Sequence, residues 1–154
     1  MKRYIGIDPG AAGGLAFITE DGLVVVHSRK SATPLEAVQD ALLGTNPNDC
    51  VAYLEQIGGF IAGRPLPGSS MFKMGHSAGY WEGLLAGLGV RTILVRPQKW
   101  QEGIPGATGK KGPDRKRVLR DEAVRRFPAM RPTLLTCDAL LIADFARTNE
   151  RAAA

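Results

Sequence analysis

Apolar positions along the chain fall into short runs that stop abruptly at turn residues. Arg3–Asp8 (RYIGID) is the first such run; it ends at an acid followed by Pro-Gly, as a strand running into a turn does. Residues 15–19 and 23–29 have the same character and are joined by Glu20-Asp21-Gly22, and Asp-Gly between two apolar runs predicts a hairpin. The first three strands therefore form an antiparallel meander. The spacing then becomes helical over 34–43, with Thr33 placed to cap the helix and Pro34 at its first position. Residues 51–55 (VAYLE) form a strand that again ends in an acid, 58–68 read as a Gly- and Pro-rich loop, and 69–88 as a long helix. A short strand over 92–95, a Gly- and Lys-containing loop over 101–113, a basic helix over 114–126 and an apolar helix over 137–147 complete the chain. The order β-β-β-α-β-α-β-α-α predicts an α/β domain: a mixed five-stranded sheet, three strands antiparallel and the later ones parallel, flanked by helices.

The chain's 154 residues suit a single domain, 1–154, and 44% apolar residues provide a core that must be mostly aliphatic, since aromatics are only 6%. A net charge of +5 favours polyanionic partners, weakly on its own. Cys50 and Cys137 fit neither a disulfide framework nor a zinc pattern and read as reduced, buried thiols. Met1-Lys2-Arg3 leads into a strand instead of a signal peptide, and no apolar run reaches the ~18 residues of a membrane span. A soluble, cytoplasmic protein is expected.

Three acids carry the candidate chemistry. Asp8 and Glu55 close two separate strands, and the carboxyl ends of strands are where open α/β sheets bind ligands. Asp138 opens the last helix within the apolar run CDALLIADFA. Taken singly, each has a bland role available: a turn residue, a strand end, a helix-start acid favoured by the dipole. Taken together they suit phosphodiester cleavage, which needs an attacking water, a stabilised leaving oxygen and neutralised phosphate charge. Two hard cations ~3.5–4 Å apart supply all of these, and Mg²⁺ or Mn²⁺ prefers carboxylate oxygens. Gly10, Gly13 and Gly14 after Asp8 would let the backbone pass close to a bulky ligand.

Several segments, in order, resemble the RuvC-like Holliday-junction resolvases, in particular the short phage-type members. IGIDPGAAGGLAFI is similar to that family's first strand and hairpin, and YLEQIGGF to the segment with its second acid. SSMFKMGHSAGYWEGLLAGLG is similar to its long central helix, VRPQKWQ with the Lys/Gly loop and basic helix to its next part, and CDALLIADFA to its last acidic helix. The resemblance implies an RNase H-like fold, a homodimer, a pair of Mg²⁺ or Mn²⁺ ions in each active site and paired nicks in a four-way DNA junction, in a prokaryotic or phage-infected cell. Asp8, Glu55 and Asp138 fall on the family's metal-binding acids. Lys99 and Lys116 fall near its DNA-contacting basic positions, with Lys110 or Lys111 as alternatives to Lys116.

Two departures stand out. Where the family carries a fourth acid or a histidine before the last aspartate, this chain has Leu134 and Leu135, and Asp144 is a poor substitute because it lies well around the helix from Asp138. The position of an aromatic wedge after the second acid holds Gly58, leaving Phe60 or Phe72 for that role, against a core role for Phe72.

Between Lys99 and Arg126 lies a concentration of cations: Lys99, Lys110, Lys111, Arg115, Lys116, Arg117, Arg120, Arg125 and Arg126. Lys116 and Arg120 are one turn apart and share a helix face. Phosphate contacts are the favoured reading over a merely solvated face. His76, Tyr80 and Trp81 read as surface or packing residues. The stripe Gly75, Gly79, Gly83, with Met71, Phe72, Met74 and Leu84 on neighbouring faces, offers a dimer contact. Three functions remain in view: a structure-selective endonuclease, a junction-binding module with a decayed site, and a sugar-kinase or actin-like phosphate binder. IGIDPG also resembles the phosphate loop of that last superfamily, whose members use two such domains.

Overall fold

A computed structural model describes residues 1–58, 67–110 and 112–153, together with the backbone of 60, 61, 64 and 65. One sheet organises the chain. Its strands are β1 (Arg3–Asp8), β2 (Gly14–Thr19), β3 (Val24–Ser28), β4 (Cys50–Glu55) and β7 (Arg91–Val95), in the order β3-β2-β1-β4-β7. β1 pairs antiparallel with β2 and β2 with β3, while β4 runs parallel to both β1 and β7. The mixed five-stranded α/β sheet expected from the pattern is the sheet observed. The hairpin turn forms at Gly22, whose φ of 99° few other residues tolerate.

Among the described residues, five α-helices flank the sheet: α1 (Pro34–Leu42), α2 (Gly68–Gly87), α3 (Pro97–Trp100), α4 (Gly112–Arg126) and α5 (Cys137–Ala152). α1 starts as expected: the Thr33 side chain accepts from the Glu36 N–H while the Glu36 carboxylate accepts from the Thr33 N–H. Three details differ from the sequence reading. The segment read as a loop holds a two-residue pair, β5 (Phe60–Ile61) with β6 (Arg64–Pro65), too short to leave a periodic pattern. The short helix α3 adds an element absent from the sequence pattern; Pro97 presets its first turn and Gly103, at φ 80°, follows its end. α5 also runs past Arg147 to Ala152.

Alternate residues of the central strand face opposite layers. Ile5 and Ile7 pack with Leu15, Leu54, Val38, Trp81 and Leu85 on the α1/α2 side. Tyr4 packs with Tyr53, Leu119, Leu141 and Ile142 on the α4/α5 side. Gly6 faces α5 too, where a Cβ would stand 2.2 Å from the Ala143 backbone nitrogen and 2.4 Å from the Ala139 carbonyl oxygen. The missing side chain lets helix backbone lie directly on strand backbone, and this brings the first turn of α5 to the carboxyl end of β1. Cys50 and Cys137 are free and buried, as expected. Among the described residues no helix is long and apolar enough to cross a membrane.

Candidate active site

β1 and β4 are neighbours in parallel register, Ile7 opposite Leu54, so Asp8 and Glu55 emerge side by side at one sheet edge. Asp138, in the first turn of α5, is carried to the same edge by the close seating of that helix on β1. Asp8 and Glu55 both feel the Asp138 charge. Burial raises the proton affinity of Asp8, and the Asp138 charge adds to it, against the opposing Gly10 N–H and Lys116. Glu55 is pushed up to about 7, by burial first and then by the Asp8 and Asp138 charges. Like charges crowded into a poorly solvated edge behave in this way.

Each carboxylate has its own partners. The Gly10 N–H donates to Asp8 Oδ1 at 2.9 Å. At Gly13 a Cβ would lie 2.5 Å from the Asp8 carboxyl carbon, and at Gly14 one would lie 2.0 Å from the His27 carbonyl oxygen. These glycines thus make room for Asp8 and for β3, a nearer reason for them than the passage of a ligand. Trp100 Nε1 donates to Glu55 Oε2 at 2.7 Å. Lys116 Nζ donates to Asp138 Oδ2 at 2.5 Å, and the Cys137 thiol donates to Asp138 Oδ1 at 3.2 Å. Burial, then the Asp138 charge, pushes that thiol up to about 12, so it keeps its proton. Burial opposes the charge on Lys116, but the charge and hydrogen bond of Asp138, with smaller contributions from Cys137 and Asp8, together outweigh it and hold the ammonium above the ordinary lysine range.

Three carboxylates face one ammonium, so the edge has an excess of hard anionic oxygen. That donor set fits a hard divalent cation. The carboxylates are not drawn into a closed cage: among the described residues no three His, Cys, Asp or Glu side chains form a ready ligand set. Two of the acids are engaged elsewhere, by Trp100 and by Lys116. Leu134 is exposed in the turn before α5 and Leu135 is partly buried beside it, neither with a metal-ligating atom. Asp144 is buried and tied to Arg126 and Arg147 at 2.9 and 2.6 Å, which removes it from the site.

The cations do not all lie where a solvated DNA-binding face would put them. Lys116 is the clearest departure: it turns inward to Asp138, because α4 packs across α5. Arg120 pairs with Asp121 at 2.6 Å, while Arg125 and Arg126 both grip the buried Glu122, whose carboxyl the Arg125 and Arg126 hydrogen bonds hold down to about 2. The cations that do share an open surface are Arg96, Lys99, Lys110 and Arg115, which line one groove of about 590 Å³ with Gln98 and Gln101. Lys99 also reaches Glu102 at 2.9 Å. Lys111 and the side chain of Phe60 lie outside the described residues.

Phe72 is 73% exposed and stacks on His76, so a core role for it does not hold. Trp81 is a core residue and Tyr80 is exposed. Trp100, the partner of Glu55, has no place among the candidates read from the sequence; the signal available was a tryptophan just after a strand end, in RPQKW.

No family model matches the sequence, and no curated protein matches it. Solved structures do match. RuvC from T. thermophilus in complex with a Holliday junction substrate superposes with a TM-score of 0.58 at 17% identity, covering 99% of this chain and 96% of that one. The structure of Thermus thermophilus RuvC matches with the same TM-score at 19% identity, over 98% and 96% of the two chains. The chain has the RuvC fold. RuvC and this chain match over nearly the whole length of both, and the RNase H-like architecture expected from the motifs is therefore the one observed.

Proposed function

We propose that the chain is a divalent-metal-dependent, structure-selective endodeoxyribonuclease that resolves four-way DNA junctions by paired nicking. The observation that carries the reading is the convergence of Asp8, Glu55 and Asp138 at one sheet edge, where the Asp138 charge helps to raise the proton affinity of Asp8 and the Asp8 and Asp138 charges that of Glu55, in a chain with the fold of a protein solved on a Holliday junction substrate. Asp8, Glu55 and Asp138 would hold Mg²⁺ or Mn²⁺, two ions at full occupancy, which would neutralise the scissile phosphate and activate the attacking water. The residues themselves orient the site. Gly10 and Trp100 fix Asp8 and Glu55 through hydrogen bonds, and Lys116 balances part of the negative charge beside Asp138. The groove of Arg96, Lys99, Lys110 and Arg115 takes phosphates of the flanking DNA, contacts that position a backbone without reading bases. Lys111, Arg120 and the aromatics Phe60 and Phe72 complete the proposed DNA-contacting set.

The enzyme would act as one domain, in the cytoplasm, and as a homodimer whose two-fold symmetry suits a symmetric junction. At Gly75, Gly79 and Gly83 nothing of the described chain comes within 4 Å of where a Cβ would stand, and this room for close approach, with the exposed Met71, favours the dimer. A purely monomeric mass in solution would remove that part of the proposal.

A second reading has its own observation. With Leu134 and Leu135 in the turn before Asp138 and the acids not closed into a cage, a junction-binding module with a weakened site is the alternative. One experiment separates the two. A labelled four-way junction, a flap and a linear duplex are incubated with the protein in Mg²⁺ and in Mn²⁺. The nuclease reading expects symmetric nicks in the junction and little cutting of duplex; tight junction binding without product in either metal selects the module.

Replacing Lys99, Lys110 and Arg115 together by Ala should weaken junction binding and lower the slope of log affinity against log salt by about 1 for each phosphate no longer neutralised. Arg120→Ala, whose cation is already paired with Asp121, should change the slope less. Equal slopes for the triple variant and the parent would exclude the groove as a phosphate track.

The raised Glu55 gives a pH signature. Its carboxyl titrates near 7 in the fold against an ordinary 4.5, so the protonated form stabilises the metal-free protein below that window, and the contribution is lost as pH rises through it. Asp8 shifts in the same direction. Cation binding requires the ionised form. Added Mg²⁺ should therefore raise the melting temperature more at about pH 8 than at about pH 6. A Mg²⁺-induced shift that is equal at both pH values would argue against Glu55 as a ligand.

A further inference from the structure

Glu55 is anchored by a residue outside the set of acids. Trp100 is 2% exposed and belongs to the buried cluster that also holds Tyr53, Val95, Ile104 and Leu119. It ends α3, which starts directly after β7, the strand paired to β4. The indole is thus fixed by the same sheet that carries Glu55. Its N–H can only donate, and it donates to Oε2 at 2.7 Å. This bond is not a general consequence of burying an indole here: among the described residues the equally buried Trp81 finds no partner for its Nε1.

We propose that Trp100 is a positioning residue for the metal site: its indole N–H holds Oε2 of Glu55 and so orients a carboxylate that would hold a divalent cation. The inference rests on the metal-site reading above. A hydrogen bond from outside the ligand set fixes ligand orientation at metal centres generally, and its loss typically costs about 10–100-fold in affinity. A tryptophan that served packing alone would show no such effect when only its N–H is removed.

The test replaces Trp100 with 3-benzothienylalanine by stop-codon suppression, which keeps the bicyclic shape and substitutes sulfur for the N–H. Mn²⁺ affinity is measured by calorimetry and stability by thermal melting. The expected result is an affinity lowered about tenfold, with the protein still folded and its melting temperature lowered by only the few degrees that one lost hydrogen bond costs. Trp100→Phe, which keeps an aromatic ring without the donor, should show at least the same loss of affinity. Val95→Ala loosens the buried cluster that holds the ring but leaves the hydrogen-bonding groups in place, and should keep its Mn²⁺ affinity within about a factor of two, well inside the loss attributed to the bond. If the benzothienyl protein binds Mn²⁺ like the parent, or if Val95→Ala loses as much affinity as Trp100→Phe, the positioning role is overturned while Glu55 remains a ligand. The parent and Glu55→Gln serve as the reference pair: equal Mn²⁺ binding by both removes the metal-site reading, and the role of Trp100 with it.

Discussion

Asp8→Asn and Glu55→Gln should each abolish junction cleavage while leaving junction binding intact. Both substitutions keep the shape of the side chain and remove its charge. In the proposed site that charge holds the cations, and cations contribute several kcal/mol of transition-state stabilisation. At 1.36 kcal/mol per tenfold, the loss should be roughly a thousandfold or more in rate. DNA binding should persist, because the cations of the Arg96–Lys99–Lys110–Arg115 groove are untouched. The two variants should also be more stable than the parent in the absence of metal at about pH 8, because each removes one of the mutually repelling, poorly solvated charges. Cleavage kinetics on a labelled junction, gel-shift binding and thermal melting check the three parts. Wild-type cleavage by Asp8→Asn would show that the acids do other work. Loss of binding together with cleavage would mean that the substitutions disturb the fold.

Gly6→Ala should be strongly damaging for a single added methyl. The added Cβ would stand 2.2 Å from the Ala143 nitrogen and 2.8 Å from its Cα, both backbone atoms within a buried helix. No flexible side chain can swing aside, so α5 or β1 must move. Overpacking costs typically about 1–3 kcal/mol and occasionally more; a clash of backbone with backbone belongs at the top of that range. In a domain of this size, about 3 kcal/mol lowers the melting temperature by roughly 6–12 °C. The displacement would also draw Asp138 away from Asp8, so activity should fall further than stability alone explains. Thermal denaturation and residual cleavage at a temperature where the variant is folded measure the two effects. An unchanged melting temperature would mean that α5 does not lie on β1 as closely as described.

Much of this arrangement is legible in the sequence, for identifiable reasons. The strands show themselves as apolar runs ending at turn chemistry, with Asp8 before Pro-Gly and Asp21-Gly22 between β2 and β3. The Thr33/Glu36 capping box marks the start of α1. What one dimension does not carry is contact between elements. Lys116 lies in a basic run and looks like its neighbours; only the packing of α4 on α5 turns it toward Asp138. Asp144 could be set aside by helical angle, but its engagement with Arg126, eighteen positions earlier, could not be foreseen. The Glu122 pairings with Arg125 and Arg126, by contrast, follow from their i,i+3 and i,i+4 spacing. The Trp100–Glu55 bond joins residues 45 apart through neighbouring strands, and nothing local announces it. Gly13 is visible as a glycine, while its reason, a Cβ-sized gap filled by Asp8, is visible only in space.

Whether Asp8, Glu55 and Asp138 together hold divalent cations is tested most directly by anomalous diffraction from crystals of the protein soaked in Mn²⁺. A Mn²⁺ peak is expected at this sheet edge, within about 2.0–2.3 Å of oxygens from at least two of the three carboxylates, with Lys116 displaced or re-aimed from Asp138. A well-diffracting crystal with Mn²⁺ bound at other acids, or with these three carboxylates empty at saturating Mn²⁺, would contradict that expectation.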